Sequence, residues 1–167
     1  QGLREGEKCI FISLEEDANS IIANARGFGW DLKPYQDGKQ LMMVKLEPTD
    51  AKTTVQRIKS ELPDFIRKFG ASRIVLDSVS LLDMLYEVDH DKRANLFNLT
   101  QMIKSTGATC IYTAEVKDDN PTSSRDGLVE YAVDGVIGLR YHEPEDKNEI
   151  QLTLRILKMR RSNHSRR

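Results

Sequence analysis

The stretch Arg73-Ile74-Val75-Leu76-Asp77-Ser78 constrains the fold more than any other. Its apolar residues do not alternate with polar ones, and two are β-branched. Such a run suits a strand buried on both faces, as in a parallel sheet. It ends in a carboxylate and a hydroxyl. In open α/β sheets the ligand lies off the carboxyl ends of the strands. Asp77 is therefore expected at a sheet edge, with Ser78 beside it, where it can help hold Mg²⁺ against phosphate oxygens. An apolar run ending in Asp is also common where no such site exists.

The flanking residues fit an α/β chain. Lys8 to Leu14 reads as a strand with Glu15-Glu16 at its carboxyl end. Asp17 can cap a helix striped with Ile21, Ile22 and Ala25 and ended by Gly27-Phe28-Gly29-Trp30. Leu41 to Leu46 is a second strand. A helix then starts at Thr49 or Asp50, with Val55, Ile58, Leu62, Phe65, Ile66 and Phe69 on one side. Pro63 should kink or divide it, and Gly70 closes it.

Residues 79–106 read as helix in two pieces around the polar run Glu87–Asp91. Ala108 to Ala114 reads as a buried strand, and Lys117–Arg125 as a polar loop. Gly135–His142 and Glu149–Met159 form a hairpin. The order predicts one α/β domain over 1–167, a mostly parallel sheet with helices on both faces and a C-terminal antiparallel hairpin.

Charge is unevenly placed. Net charge is −1, but residues 155–167 carry six basic residues and no acid, leaving 19 − 26 = −7 for the rest. A basic end can meet the phosphates of a nucleotide or nucleic acid, or form a solvated tail. No apolar run approaches the roughly 20 residues of a membrane span, and no signal-peptide pattern is present. Cys9 and Cys110 lie in apolar, strand-like runs. They read as buried free thiols of a reducing compartment, so a cytoplasmic location is expected.

Three parallel strand ends now carry polar groups: Glu15-Glu16, Asp77-Ser78, and Thr113 with Glu115. A nucleoside triphosphate with Mg²⁺ needs one acid for the metal and another to orient or deprotonate the attacking water. Asp77 suits the first role, and Glu15 or Glu16 the second. A solvated strand end with a helix-cap charge accounts equally well for the two glutamates. The phosphate cradle G-x-x-x-x-G-K-[ST] is absent: Gly38-Lys39 is followed by Gln40, and no glycine lies five residues before Gly38. Residues 1–7 read as the end of an earlier element, so the cradle is expected upstream.

Together, FISLEED-ANSIIANARGFGWDL, RIVLDSVS and LKMRRSNHS resemble the KaiC-like branch of the RecA-superfamily ATPases over nearly the whole chain. The segment from Glu15-Glu16 to Leu32 is the most specific part. The resemblance implies a RecA-like fold, ATP and Mg²⁺ as ligands, and a hexameric ring with ATP between subunits. By position, Glu15 matches the general base, Glu16 its partner and Asp77 the Walker B acid. Lys158, Met159, Arg160, Ser162 and His164 match an element that reaches a neighbouring subunit's ATP. Arg125 lies where many relatives have an arginine near the interface. Arg161 departs from the family, which usually has glycine there. Glu130-Tyr131 stand where the clock protein has its phosphorylated Ser-Thr pair, so clock-type autophosphorylation is not expected. Without a P-loop, this chain alone is not expected to hydrolyse ATP.

Two other readings stay open. One is a non-catalytic module that uses the same fold for protein association. The other is a DNA-handling RecA or RadA-type relative. Lys117 and Arg125 are balanced by Asp118 and Asp119 in their loop, which disfavours nucleic acid.

Overall fold

Arg73–Asp77 is an interior strand of a parallel sheet. The computed structural model describes residues 1–46, 51–80, 89–116, 129–144 and 149–164 and, within these, all side chains but those of 51–59 and 89–91. The described residues fall into two compact units, Gln1–Ala114 and Glu115–Arg167.

In the first unit, four strands lie in the order β2-β1-β3-β4. They are β1 (Cys9–Ser13), β2 (Leu41–Lys45), β3 (Arg73–Asp77) and β4 (Thr109–Tyr112). All neighbours are parallel, with Ser13 beside both Lys45 and Asp77. The helices are α1 (Ala18–Gly27), α2 (Lys33–Asp37), α3 (Ala51–Phe69) and α4 (Asp89–Ser105). The chain leaves β1 toward one edge, returns past it to β3, and goes on to β4. Right-handed crossovers put the β1–β2 connection on one face and the β2–β3 and β3–β4 connections on the other. The contact between α3 and α4 agrees with this.

The core follows from the uninterrupted apolar strands. Ile10, Ile12, Ile74 and Leu76 alternate along β1 and β3 and are almost fully buried. Leu62 and Ile66 of α3 and Leu96, Leu99 and Ile103 of α4 are buried as well. Each such side chain contributes about 1.5–3 kcal/mol by leaving water. At the amino ends of the strands, Arg73 Nε and Nη2 donate to both carboxylate oxygens of Glu7, at 2.6 and 3.1 Å. This fork ties the starts of β1 and β3 together and holds the Glu7 carboxyl below the ordinary glutamate value.

Several local expectations change. Pro63 does not divide its helix: α3 runs unbroken from Ala51 to Phe69. Proline removes one helical N–H bond, but buried Leu62 and Ile66 anchor the turns around it. β4 is not buried on both faces, since Ile111 is 61% exposed. It is one of the two edge strands of the four, which the local apolar run does not reveal. Both cysteines are free but only partly buried; desolvation still pushes the Cys110 thiol up to about 12. Helix α2 was not foreseen, although Pro34 in its first turn is a helix-start signal. Helix α4 already includes Asp89–Asp91 of the polar run; the rest of that run lies outside the described residues.

The second unit contains α5 (Val129–Ala132) and the antiparallel strands β5 (Gly135–His142) and β6 (Gln151–Met159). Ile137, Leu139 and Tyr141 pair with Ile156, Leu154 and Leu152, and the register shifts between Val136 and Ile137. The alternation in β5 and β6 specifies this pairing, as the hairpin reading expects.

Candidate functional site

The strand order places the acids. From β1 the connection goes to β2 on one side, and from β3 it goes to β4 on the other. β1 and β3 are direct neighbours, so the direction of winding reverses between them. A crevice forms at the carboxyl ends of strands flanking such a switch point. Glu15-Glu16 follow β1 there, and Asp77-Ser78 end β3.

Asp77 is fixed from both sides. Its carbonyl accepts the Leu14 N–H at 2.8 Å, and its carboxylate accepts the Thr113 hydroxyl. Val79 N–H donates to the Thr113 carbonyl at 2.9 Å, which holds the turn after β3 against β4. The Ser78 hydroxyl is buried and has no hydrogen-bond partner among the described residues.

The two glutamates are held by their backbone. Ser13 Oγ accepts the N–H of Glu15 at 3.2 Å and of Glu16 at 2.9 Å. Such a serine turn re-aims the chain directly after a strand. Asp17 then caps α1 by accepting from Asn19 and Ser20 N–H at 2.8 and 3.0 Å. The Ser20 N–H and hydroxyl, and then the Asn19 N–H, hold the Asp17 carboxyl below its ordinary value. Asn24 of α1 donates to Glu16 Oε2 at 2.9 Å. Glu15 is exposed, and its carboxylate has no protein partner among the described residues.

The donor set at this edge is all oxygen: the Asp77 carboxylate, the orphaned Ser78 hydroxyl and the adjacent glutamates. Mg²⁺ prefers such donors and takes only one or two carboxylates from a protein, with waters and phosphate completing its shell. Among the described residues no group of three or more His, Cys, Asp or Glu could enclose a metal. The oxygen donors at this edge fit a metal that completes its shell with water and a phosphate ligand.

The C-terminal element lies in the second unit. Lys158 Nζ donates to the carbonyls of Glu130 and Val133 at 2.5 and 2.7 Å. Met159 pairs with Gly135, where an added Cβ would meet its sulfur at 2.9 Å. Arg160 N–H donates to the Asp134 carbonyl at 2.8 Å. Strand β6 ends at Met159, and Arg161 has φ 61°, in the left-handed region. Glycine enters that region without cost, and a side chain does not. Arg161 thus carries a turn conformation that glycine would adopt more easily. Arg160, Ser162 and His164 therefore lie beyond the end of β6, past or within this turn. Arg125 lies outside the described residues.

Two partners escaped the sequence reading. Ser13 lies inside the run Lys8 to Leu14 and was not singled out, although Ser two and three residues before Glu15 and Glu16 is the spacing of a serine turn. Asn24 carried no signal until α1 brought it to Glu16.

Known proteins resemble the whole chain. The family model described as KaiC ATPase matches residues 1–167. The circadian clock protein KaiC3 of Synechocystis sp. is 28% identical over 173 residues, covering 99% of this chain and 34% of that protein. The circadian clock oscillator protein KaiC of Prochlorococcus marinus subsp. pastoris is 32% identical over 168 residues, covering 95% of this chain and 32% of that protein. The chain thus spans about a third of these curated relatives. The crystal structure of a KaiC-like protein from the archaeon Pyrococcus horikoshii superposes with TM-score 0.80 at 26% identity, covering 98% of this chain and 70% of that one. The α/β fold matches that of its RecA-like relative, and the chain belongs to the KaiC family of ATPases.

Proposed function

We propose that this chain carries the acid-bearing part of a Mg²⁺-dependent ATPase domain, with ATP held between the subunits of a six-membered ring. The observation that supports the reading is the meeting of Glu15-Glu16 with Asp77-Ser78 at the switch point between β1 and β3. In this reading Asp77 and Ser78 hold the metal side of the nucleotide. Glu15 takes a proton from the attacking water as the water oxygen bonds to the γ-phosphorus and the bond to the bridging oxygen breaks, releasing ADP and phosphate, and Glu16 holds Glu15 in place. Bound Mg²⁺ supplies positive charge to the phosphate oxygens.

Lys158, Met159, Arg160, Ser162 and His164 serve the ATP of a neighbouring subunit, and Arg125 stands near that interface. A cation supplied in trans stabilises charge on the transferring phosphoryl group. The family match over 1–167 supports treating both compact units as one ATPase core, and we place that core in the cytoplasm. Hydrolysis there drives or times a regulatory protein assembly.

The test is ATP turnover by the full-length protein with and without Mg²⁺. Glu15→Gln is expected to slow it about 10²–10⁴-fold while ATP still binds. A full-length protein that binds no nucleotide and turns none over would instead be the protein-association module of the same fold.

A further inference from the structure

We infer that Ser13 is a positioning residue for the acidic pair, and that with Asn24 it makes the two adjacent glutamates unequal. The inference rests on the ATPase reading but adds residues to which that reading gives no role.

Ser13 is 1% exposed, so its hydroxyl competes with no water. It accepts two consecutive backbone N–H groups, those of Glu15 and Glu16. Its own place is set by the sheet, where it pairs with Lys45 on one side and Asp77 on the other. Further sheet bonds hold both flanks: Leu46 N–H donates to the Ser13 carbonyl at 2.9 Å and Leu14 N–H to the Asp77 carbonyl at 2.8 Å. One buried oxygen therefore joins the rigid strand beside Asp77 to the backbone of both glutamates. Without it, two N–H groups lose their acceptor and the turn is free to re-aim.

The side chains then part company. Glu16 is held by Asn24 at 2.9 Å, across the first turns of α1. Glu15 has no such tether among the described residues and faces solvent. The Glu16 carboxylate is thereby tied to α1, while that of Glu15 is left to turn toward a ligand. The geometry thus leaves Glu15 for water and makes Glu16 a fixed neighbour, with Ser13 setting the aim of both.

The experiment compares Ser13→Ala, Ser13→Thr, Asn24→Ala and Glu15→Gln in the full-length protein. Steady-state ATP turnover, binding of a non-hydrolysable ATP analogue and amide hydrogen exchange at Glu15 and Glu16 are measured for each. A misaim of about an ångström costs up to roughly 10²-fold in rate, so Ser13→Ala is expected to lower kcat about 10–100-fold with KM near parental. Its Glu15 and Glu16 amides should exchange faster, and Ser13→Thr, which keeps the hydroxyl, should restore both readouts. Asn24→Ala, at an exposed position, should lower kcat several-fold and leave those amides protected.

Parental kcat and protection in Ser13→Ala, with Glu15→Gln inactive, would overturn the inference and leave the ATPase reading standing. Equal loss of kcat in Ser13→Ala and Ser13→Thr, with parental protection in both, would also overturn it. Parental turnover in Glu15→Gln would instead sink the ATPase reading, and the inference with it. If Ser13→Ala does not fold, Ser13→Thr and Asn24→Ala decide: parental kcat in Asn24→Ala, or unprotected amides in a folded Ser13→Thr, would overturn the inference.

Discussion

Arg160 is bound to Asp134 twice: its N–H donates to the Asp134 carbonyl at 2.8 Å, and its guanidinium stands 3.9 Å from the Asp134 carboxylate. The first bond fixes the backbone where β6 ends. The second joins two side chains that are each about half exposed, and such a pair contributes little in water. The backbone of Arg160 is therefore set while its guanidinium can exchange Asp134 for a stronger anion. Lys158 differs, because its ammonium already has two carbonyl acceptors within its own unit.

This contrast makes Arg160 the better probe of action between subunits. Two full-length variants, Glu15→Gln and Arg160→Ala, should each be inactive alone. In mixed rings some sites pair an intact Glu15 with an intact Arg160 from the next subunit, so part of the turnover should return on mixing. Mixed rings that form without any recovery would show that Arg160 does not act on a neighbour's ATP.

The left-handed backbone of Arg161 has its own consequence. A non-glycine residue in this region costs about 1–2 kcal/mol, partly offset by the extra freedom glycine has in the unfolded chain. Arg161→Gly is expected to raise stability by about 1 kcal/mol, read as a higher denaturant midpoint with unchanged slope. Arg161→Val, with a β-branched side chain at φ 61°, should lower the midpoint.

Asp77 separates a site role from a structural one. If its carboxylate helps hold the metal, Asp77→Ala in the full-length protein should raise the Mg²⁺ concentration needed for half-maximal turnover about tenfold or more. A strand-end residue of purely structural value would lower the melting temperature and leave the Mg²⁺ dependence alone. Thr113→Val removes the hydroxyl donor to Asp77. It should shift the Mg²⁺ titration in the same direction by a smaller factor.

Asp17 gives a pH-dependent signal. Its folded carboxyl is lowered from the ordinary value of 3.8 by the amides and hydroxyl it caps. The folded state thus binds its proton less readily than the unfolded chain. The resulting stabilisation is complete well above 3.8 and is lost as pH falls through the lower folded value. Asp17→Ser keeps a cap without a charge. The parent should exceed it in melting temperature at neutral pH, and the difference should shrink below about pH 4. A difference constant down to pH 2 would mean that the Asp17 charge contributes nothing to folding.

Much of the molecule is determined locally. The apolar run before Asp77 needs no distant partner to be recognised as a buried strand, and Asp17 announces its cap by position. Alternation in Gly135–His142 and Gln151–Met159 specifies a hairpin whose register follows from the pleat. The residues from Glu15 to Leu32, with those around Asp77 and Arg160, carry the family. Strand order is different, because it depends on where the chain crosses the sheet. Only the tertiary structure makes β1 the neighbour of β3 and so brings Ser13 beside Asp77. It alone leaves β4 on the outside with Ile111 exposed. It alone gives Glu16 the tether of Asn24 and, among the described residues, leaves Glu15 without one. Local propensity acts through a few neighbouring bonds, whereas these relations are set by packing between segments far apart in the chain.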